Sequence, residues 1–128
     1  MSNKSTAILR LRVWIEQEEE TYIGIGSTLL LQYVEKLGSL RQAASSLGMS
    51  YRRAWGKLKK AEDRIGKPLV EKTKGMGQRF NLTPEGKELM ERFLAFYLDV
   101  EDYATRRAST MLGMEVNKSD EFYRDDTE

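Results

Sequence analysis

The chain has 128 residues, with 21 Lys and Arg, 20 Asp and Glu, and neither cysteine nor histidine. One domain is the default at this length, with enough chain to bury a core unaided. The missing residue types exclude disulfides, thiol catalysis, the common zinc sites and a histidine general base. No apolar run approaches the roughly 18 residues of a membrane span, and no signal-peptide apolar region is visible. The sequence therefore reads as a soluble cytoplasmic protein without cofactor or metal.

Charge is unevenly distributed. Residues 40–82 hold 11 Lys and Arg against 3 Asp and Glu, a net of +8, whereas residues 1–39, 83–114 and 115–128 carry −1, −2 and −4. A basic segment flanked by acidic ones points to an anionic partner. A set of ordinary solvated helix faces is the bland alternative.

In chain order, residues 7–17 alternate, with Leu9, Leu11, Val13 and Ile15 on one face, which predicts a half-buried strand. Glu18-Glu19-Glu20 is a polar break, and residues 22–25 return as a partner strand, giving an N-terminal hairpin. Gly24-x-Gly26 lacks the third glycine and the Lys-Ser/Thr ending of a phosphate loop, so it reads as a flexible helix entry. Ser27 is a suitable N-cap. Leu29, Leu30, Val34 and Leu37 follow at helical spacing, flanked by Leu31 and Tyr33, and Gly38 is the stop.

Residues 38–58 are the centre of the chain. Ser39 caps a short helix over residues 40–47, whose Leu40, Ala43, Ala44 and Leu47 share one face. Alanines at 43 and 44 let a following helix cross closely. Gly48 suits the positive φ of a tight helix–helix turn. Met49 fills the space between the helices. Ser50 caps a third helix over residues 51–65, with Ala54, Leu58, Ala61 and Ile65 inward and Trp55 beside them. Its other face carries Arg52, Arg53, Gly56, Lys57 and Lys60. Cations at a helix start oppose the macrodipole by a few tenths of a kcal/mol. A phosphate or a guanine there would offset that, and arginine reads guanine bidentately. Gly56 either permits close approach to DNA or accommodates Trp55.

Residues 69–73 and 79–82 read as strands around a basic glycine-containing turn, a wing bearing Lys72, Lys74 and Arg79. Thr83-Pro84 starts a long helix running to Leu112. At about 29 residues it would be about 43 Å long. So small a domain cannot cover it, so its distal part needs a partner or stays partly exposed. Self-association is the natural solution, with Phe93, Phe96, Tyr97, Val100 and Tyr103 as contacts, and folding back onto the N-terminal hairpin is the alternative. From Glu115 the chain is polar and acidic, which predicts disorder.

The expected fold is mainly α with small β: a winged helix-turn-helix with an N-terminal β-hairpin and a long C-terminal dimerisation helix. Residues 1–112 would form the DNA-binding domain, 84–112 its dimerisation helix and 113–128 a disordered tail. The order of elements, with Gly38-Ser39-Leu40, Ala43-Ala44 and Gly48-Met49-Ser50-Tyr51-x-x-Ala54-Trp55, resembles the N-terminal DNA-binding domain of ModE-type, molybdate-responsive regulators. A looser similarity to LysR-type regulators covers Ala43-Ala44, residues 68–72 and residues 82–86. Together these cover roughly residues 7–112. The resemblance implies a prokaryotic transcription regulator acting as a homodimer on a palindromic operator in double-stranded DNA. ModE-type regulators usually carry C-terminal oxyanion-binding domains, and only a short tail follows residue 112 in this sequence, so molybdate sensing is not carried over. A separate sensor protein is a possible partner.

The expected DNA contacts are Ser50, Tyr51, Arg52, Arg53, Gly56 and Lys57, with Lys60 near the backbone and Lys74 and Arg79 on the wing. Packing against the second helix is the alternative for Tyr51. The competing function is a winged-helix protein–protein interaction module docking on an acidic partner. The inventory of catalytic groups argues against an enzyme.

Overall fold

A computed structural model describes residues 6–73 and 79–119. In chain order the elements are β1 (Ala7–Leu9), β2 (Trp14–Gln17), β3 (Glu20–Gly24), α1 (Ile25–Leu37), α2 (Leu40–Ser46), α3 (Tyr51–Ile65), β4 (Val70–Lys72), β5 (Phe80–Leu82), α4 (Pro84–Leu112) and β6 (Val116–Lys118). This is a mainly helical winged helix-turn-helix ending in a long helix. It divides into two compact units, residues 13–94 and residues 1–12 with 95–128.

In the first unit the core joins Leu30, Leu31 and Val34 of α1 to Leu40, Ala43 and Ala44 of α2. Ala54, Leu58 and Ala61 of α3, with Leu69, Phe80 and Met90, complete it. The alanine spacing does what the sequence suggested: Ala43, Ala44 and Ala54 are essentially inaccessible, so α2 and α3 cross at short range. Gly48 holds φ +71 and turns the chain between them. The cap residues act as expected, the Ser39 hydroxyl accepting from the Gln42 N–H and the Ser50 hydroxyl from the Arg53 N–H, each at 3.0 Å.

Helix α1 starts earlier than expected. Its N-cap is Gly24, and Ile25 enters the helix rather than the strand. Ser27 lies inside the first turn, its hydroxyl donating to the Gly24 carbonyl at 3.3 Å. Gly24 pairs with Trp14, and a Cβ there would fall 2.9 Å from the Trp14 Cβ. The glycine thus serves close strand pairing, which accounts for half of the Gly-x-Gly pattern. At the other end Gly38 takes φ +69, as expected of a helix stop.

The wing strands β4 and β5 pair antiparallel, Val70 opposite Leu82 and Lys72 opposite Phe80. The basic turn between them, including Lys74, lies outside the described residues. Helix α4 begins as the Thr83-Pro84 pair predicted. The buried Thr83 hydroxyl accepts from the Gly86 N–H at 3.0 Å and donates to the Pro68 carbonyl at 2.8 Å.

The N-terminal segment differs from expectation. Residues 7–13 do alternate between half-buried and exposed. They are not one strand with residues 14–17, however. β2 pairs with β3 as a hairpin closed by Glu18 and Glu19, whereas β1 belongs to the second unit and pairs in parallel with β6. Residues 116–118 are therefore a strand rather than part of a disordered tail. The Ser109 hydroxyl accepts from the Val116 N–H at 3.2 Å, and Ser119 is buried. Polar composition hid this element because its order comes from backbone pairing, not from an apolar face.

In the second unit the Tyr97 hydroxyl donates to the Leu11 carbonyl at 3.1 Å. Tyr97 is 1% exposed, and Phe93, at the end of the first unit, 5%. These two predicted dimer contacts are buried within the chain itself, because they lie on the inward face of α4. Phe96 and Tyr103 are 44% and 59% exposed, and Val100 is partly buried between them. Among the described residues no helix is long and apolar enough to cross a membrane.

Candidate nucleic-acid interface

The exposed face of α3 follows from its sequence. Ala54, Leu58 and Ala61 bury one side, so residues two positions away point out. Arg52, Arg53, Gly56 and Lys60 are exposed, and Lys57 is partly buried. Ser50 sits at the amino end of this row as the cap.

Tyr51 takes the alternative role. Its ring meets Trp55 edge-on at 6.4 Å, and the Arg41 guanidinium of α2 lies 4.2 Å from its centroid. Trp55 in turn meets Phe80 of β5 edge-on at 6.1 Å. These three rings form a ladder from the start of α3 to the wing. Each carries a cation: Arg41 on Tyr51, Lys59 at 5.7 Å on Trp55 and Lys72 at 5.9 Å on Phe80. Edge-to-face pairs of this kind each add about 0.5–1.5 kcal/mol beyond burial. The ladder fixes the wing strands against α3 and lines up exposed positive charge beside Arg52. Arg41 escaped sequence reasoning, since its stacking partner is ten residues away and only the helix crossing brings them together.

Arg79 extends over Gly38, where an added Cβ would overlap its guanidinium. The Phe80 N–H donates to the Gly38 carbonyl at 3.1 Å, so the base of the wing is tied to the α1–α2 turn.

On the other edge of α3, Arg53, Gly56, Lys57, Lys60 and Ala61 line a cleft of about 760 Å³ with Glu19, Glu20, Thr21 and Tyr22 of the hairpin and Ser27 of α1. The Lys57 ammonium reaches Gly26, lying 3.1 Å from where a Cβ would sit. Partial burial lowers the Lys57 pKa, and the Arg53 and Lys60 charges lower it further. An anion here would relieve that cost. Glu20 pairs with Arg64, whose hydrogen bond and charge hold its carboxyl below the usual range.

Apart from its chain neighbours, a Cβ on Gly56 would meet nothing within 4 Å, so this face of α3 is open at that position. Gly56→Ala should therefore raise stability by about 1 kcal/mol from helix propensity alone. If α3 lies in a groove, the same change weakens DNA binding. Thermal denaturation and DNA titration of one variant read the two effects. Tighter or equal DNA binding would remove Gly56 from the interface.

Residues 28–87, fewer than half of the chain, match the family model described as "Bacterial regulatory helix-turn-helix protein, lysR family". The matched segment runs from α1 through the helix-turn-helix and wing into the first turn of α4. Regulators of that kind are not enzymes. Among solved structures the chain is similar to "Crystal structure of ArgP from Mycobacterium tuberculosis", at 17% identity and a TM-score of 0.47, over 73% of this chain and 42% of that one. This chain thus spans less than half the length of that structure. No curated protein matches.

Proposed function

We propose that the chain is a sequence-specific, DNA-binding transcription regulator that places α3 in the major groove. The observation that carries this reading is the LysR-type helix-turn-helix segment with Arg52, Arg53, Gly56 and Lys60 exposed along its second helix. Arg52 reads a base, and Arg53 contacts the DNA backbone from the cleft that it shares with Lys57 and Lys60. Lys57, Lys60 and Arg41 hold phosphates, and Lys74 and Arg79 extend contact along the wing. The Ser50-Tyr51-x-x-Ala54-Trp55 run supports a ModE-type relationship within this class, with Tyr51 acting as the support on which Arg41 stacks. Action on chromosomal DNA places the protein in a prokaryotic cytoplasm.

Titrating duplex DNA at increasing salt tests the reading. Phosphate neutralisation makes log K fall linearly with log salt, with a slope near −0.9 per contact. Absence of salt-dependent DNA binding would instead favour a protein–protein interaction module.

The exposed side of α4 supports a homodimer on a palindromic operator. Phe96, Val100 and Tyr103 follow at spacings of four and three, with Met111 beyond them at 69% exposure. Phe93 and Tyr97 support the helix from its inward side. A dimer of this class reads a palindromic operator with one recognition helix in each half-site, the half-sites one helical turn apart, about 34–36 Å. The double substitution Phe96→Glu/Tyr103→Glu should shift sedimentation from dimer to monomer at micromolar concentration. A wild-type protein already monomeric there would end the dimer proposal.

A further inference from the structure

We propose that Glu19 and Glu20 form a built-in carboxylate competitor for DNA phosphates along α3, which restrains phosphate-driven DNA binding. This rests on the reading of α3 as the DNA-binding helix.

The first observation is the turn itself. Gln17 pairs with Glu20, leaving Glu18 and Glu19 as a two-residue hairpin loop. Both have positive φ, 56° and 67°. Such turns favour Asn-Gly or Asp-Gly, because other L residues are strained in the left-handed region. Two glutamates here, followed by a third, add mutual repulsion to backbone strain. Turn stability alone therefore does not account for these residues.

The second observation is where the turn lies. Glu19 and Glu20 line one cleft with Arg53, Lys57 and Lys60, three of the cations assigned to DNA. Glu20 is anchored to Arg64 of the same helix, at the end remote from Ser50. The hairpin is thereby held along the α3 edge with its acidic turn beside the cation row. A phosphate approaching Lys57 or Lys60 shares their cleft with the Glu19 and Glu20 carboxylates, of which Glu20 already acts on the Lys60 charge. It also meets their negative charge directly. On the opposite edge Glu62 pairs with Lys59 at 3.5 Å and accepts from the Leu69 N–H, so that carboxylate is held toward the carboxyl end of α3, ten residues on from Arg52. DNA contact is thus biased toward Arg52 and Arg41 at the amino end of α3, and binding that depends only on phosphates is weakened.

The test uses the full chain with a duplex of random sequence, read by fluorescence anisotropy at several salt concentrations. Glu19→Gln/Glu20→Gln should bind roughly threefold to tenfold more tightly, the scale of one or two exposed charge interactions. Glu19→Gln alone keeps the Glu20–Arg64 pair and should move in the same direction. Glu88→Gln/Glu91→Gln removes the same net charge from α4 and should change binding less. Equal tightening by the α4 control would reduce the effect to net charge and overturn the proposal. So would unchanged binding by both hairpin variants in a protein that does bind DNA. Wild-type protein without salt-dependent DNA binding would overturn the underlying reading of α3 instead.

Discussion

Gly86→Ala should destabilise the fold by about 3 kcal/mol, at the upper end of the usual range for overpacking. Helix propensity predicts the opposite sign, since alanine is favoured over glycine by about 1 kcal/mol in a helix interior. The decisive contact is with backbone. A Cβ on Gly86 would overlap the Leu69 carbonyl oxygen and lie 2.9 Å from its carbon. Leu69 cannot retreat easily. Its side chain is fully buried, its N–H donates to the Glu62 carboxylate at 2.8 Å, and its carbonyl accepts from the Thr83 N–H at 2.9 Å. Nor can α4 withdraw without loosening the Thr83 hydroxyl from Pro68. Either route disturbs the junction that joins the end of α3, the wing and α4. Chemical denaturation should show a lower midpoint. A midpoint at or above wild type would mean that the junction yields without cost. The contrast with Gly56, where added carbon meets open space, isolates close approach as the cause.

Helix α4 was legible almost entirely, because its start is written locally in Thr83-Pro84 and its length in repeated apolar spacing. The helix-turn-helix was legible for the same reason: Ser39, Gly48 and Ser50 each act within three or four residues. What escaped depends on residues distant in sequence. The parallel pairing of β1 with β6 joins positions more than 100 residues apart, and no apolar pattern marks residues 116–118. Periodicity on α4 identifies apolar positions but not which of them the chain covers itself, so it does not separate the buried Phe93 and Tyr97 from the exposed Phe96 and Tyr103. Within the candidate site, Arg52 and Arg53 were legible from cap and charge. The Arg41–Tyr51 stack and the Glu19–Glu20 cleft required tertiary placement.

Arg52→Ala/Arg53→Ala should leave the fold intact while removing most operator affinity. The Ser50 cap bonds the Arg53 backbone N–H, so it survives truncation of both side chains. Both side chains are exposed, and surface changes of this kind usually stay within about 0.5 kcal/mol. Removing two cations from a helix amino end even favours the helix slightly. The expected loss at the operator is about 1–3 kcal/mol for each arginine that reads a base. Their adjacency makes the sum non-additive. The salt dependence separates the two roles. Loss of a phosphate contact reduces the slope by about 0.9 and weakens all sequences alike, whereas loss of a base contact keeps the slope and erodes preference for the operator. The geometry favours an unequal division. Arg53 shares its cleft with Lys57, Lys60 and the hairpin carboxylates, a setting suited to phosphate, whereas Arg52 lies toward the aromatic ladder and away from that cleft. Single substitutions should therefore show Arg52→Ala relaxing sequence preference and Arg53→Ala lowering the salt slope. Operator binding unchanged in the double variant would remove α3 as the reading helix.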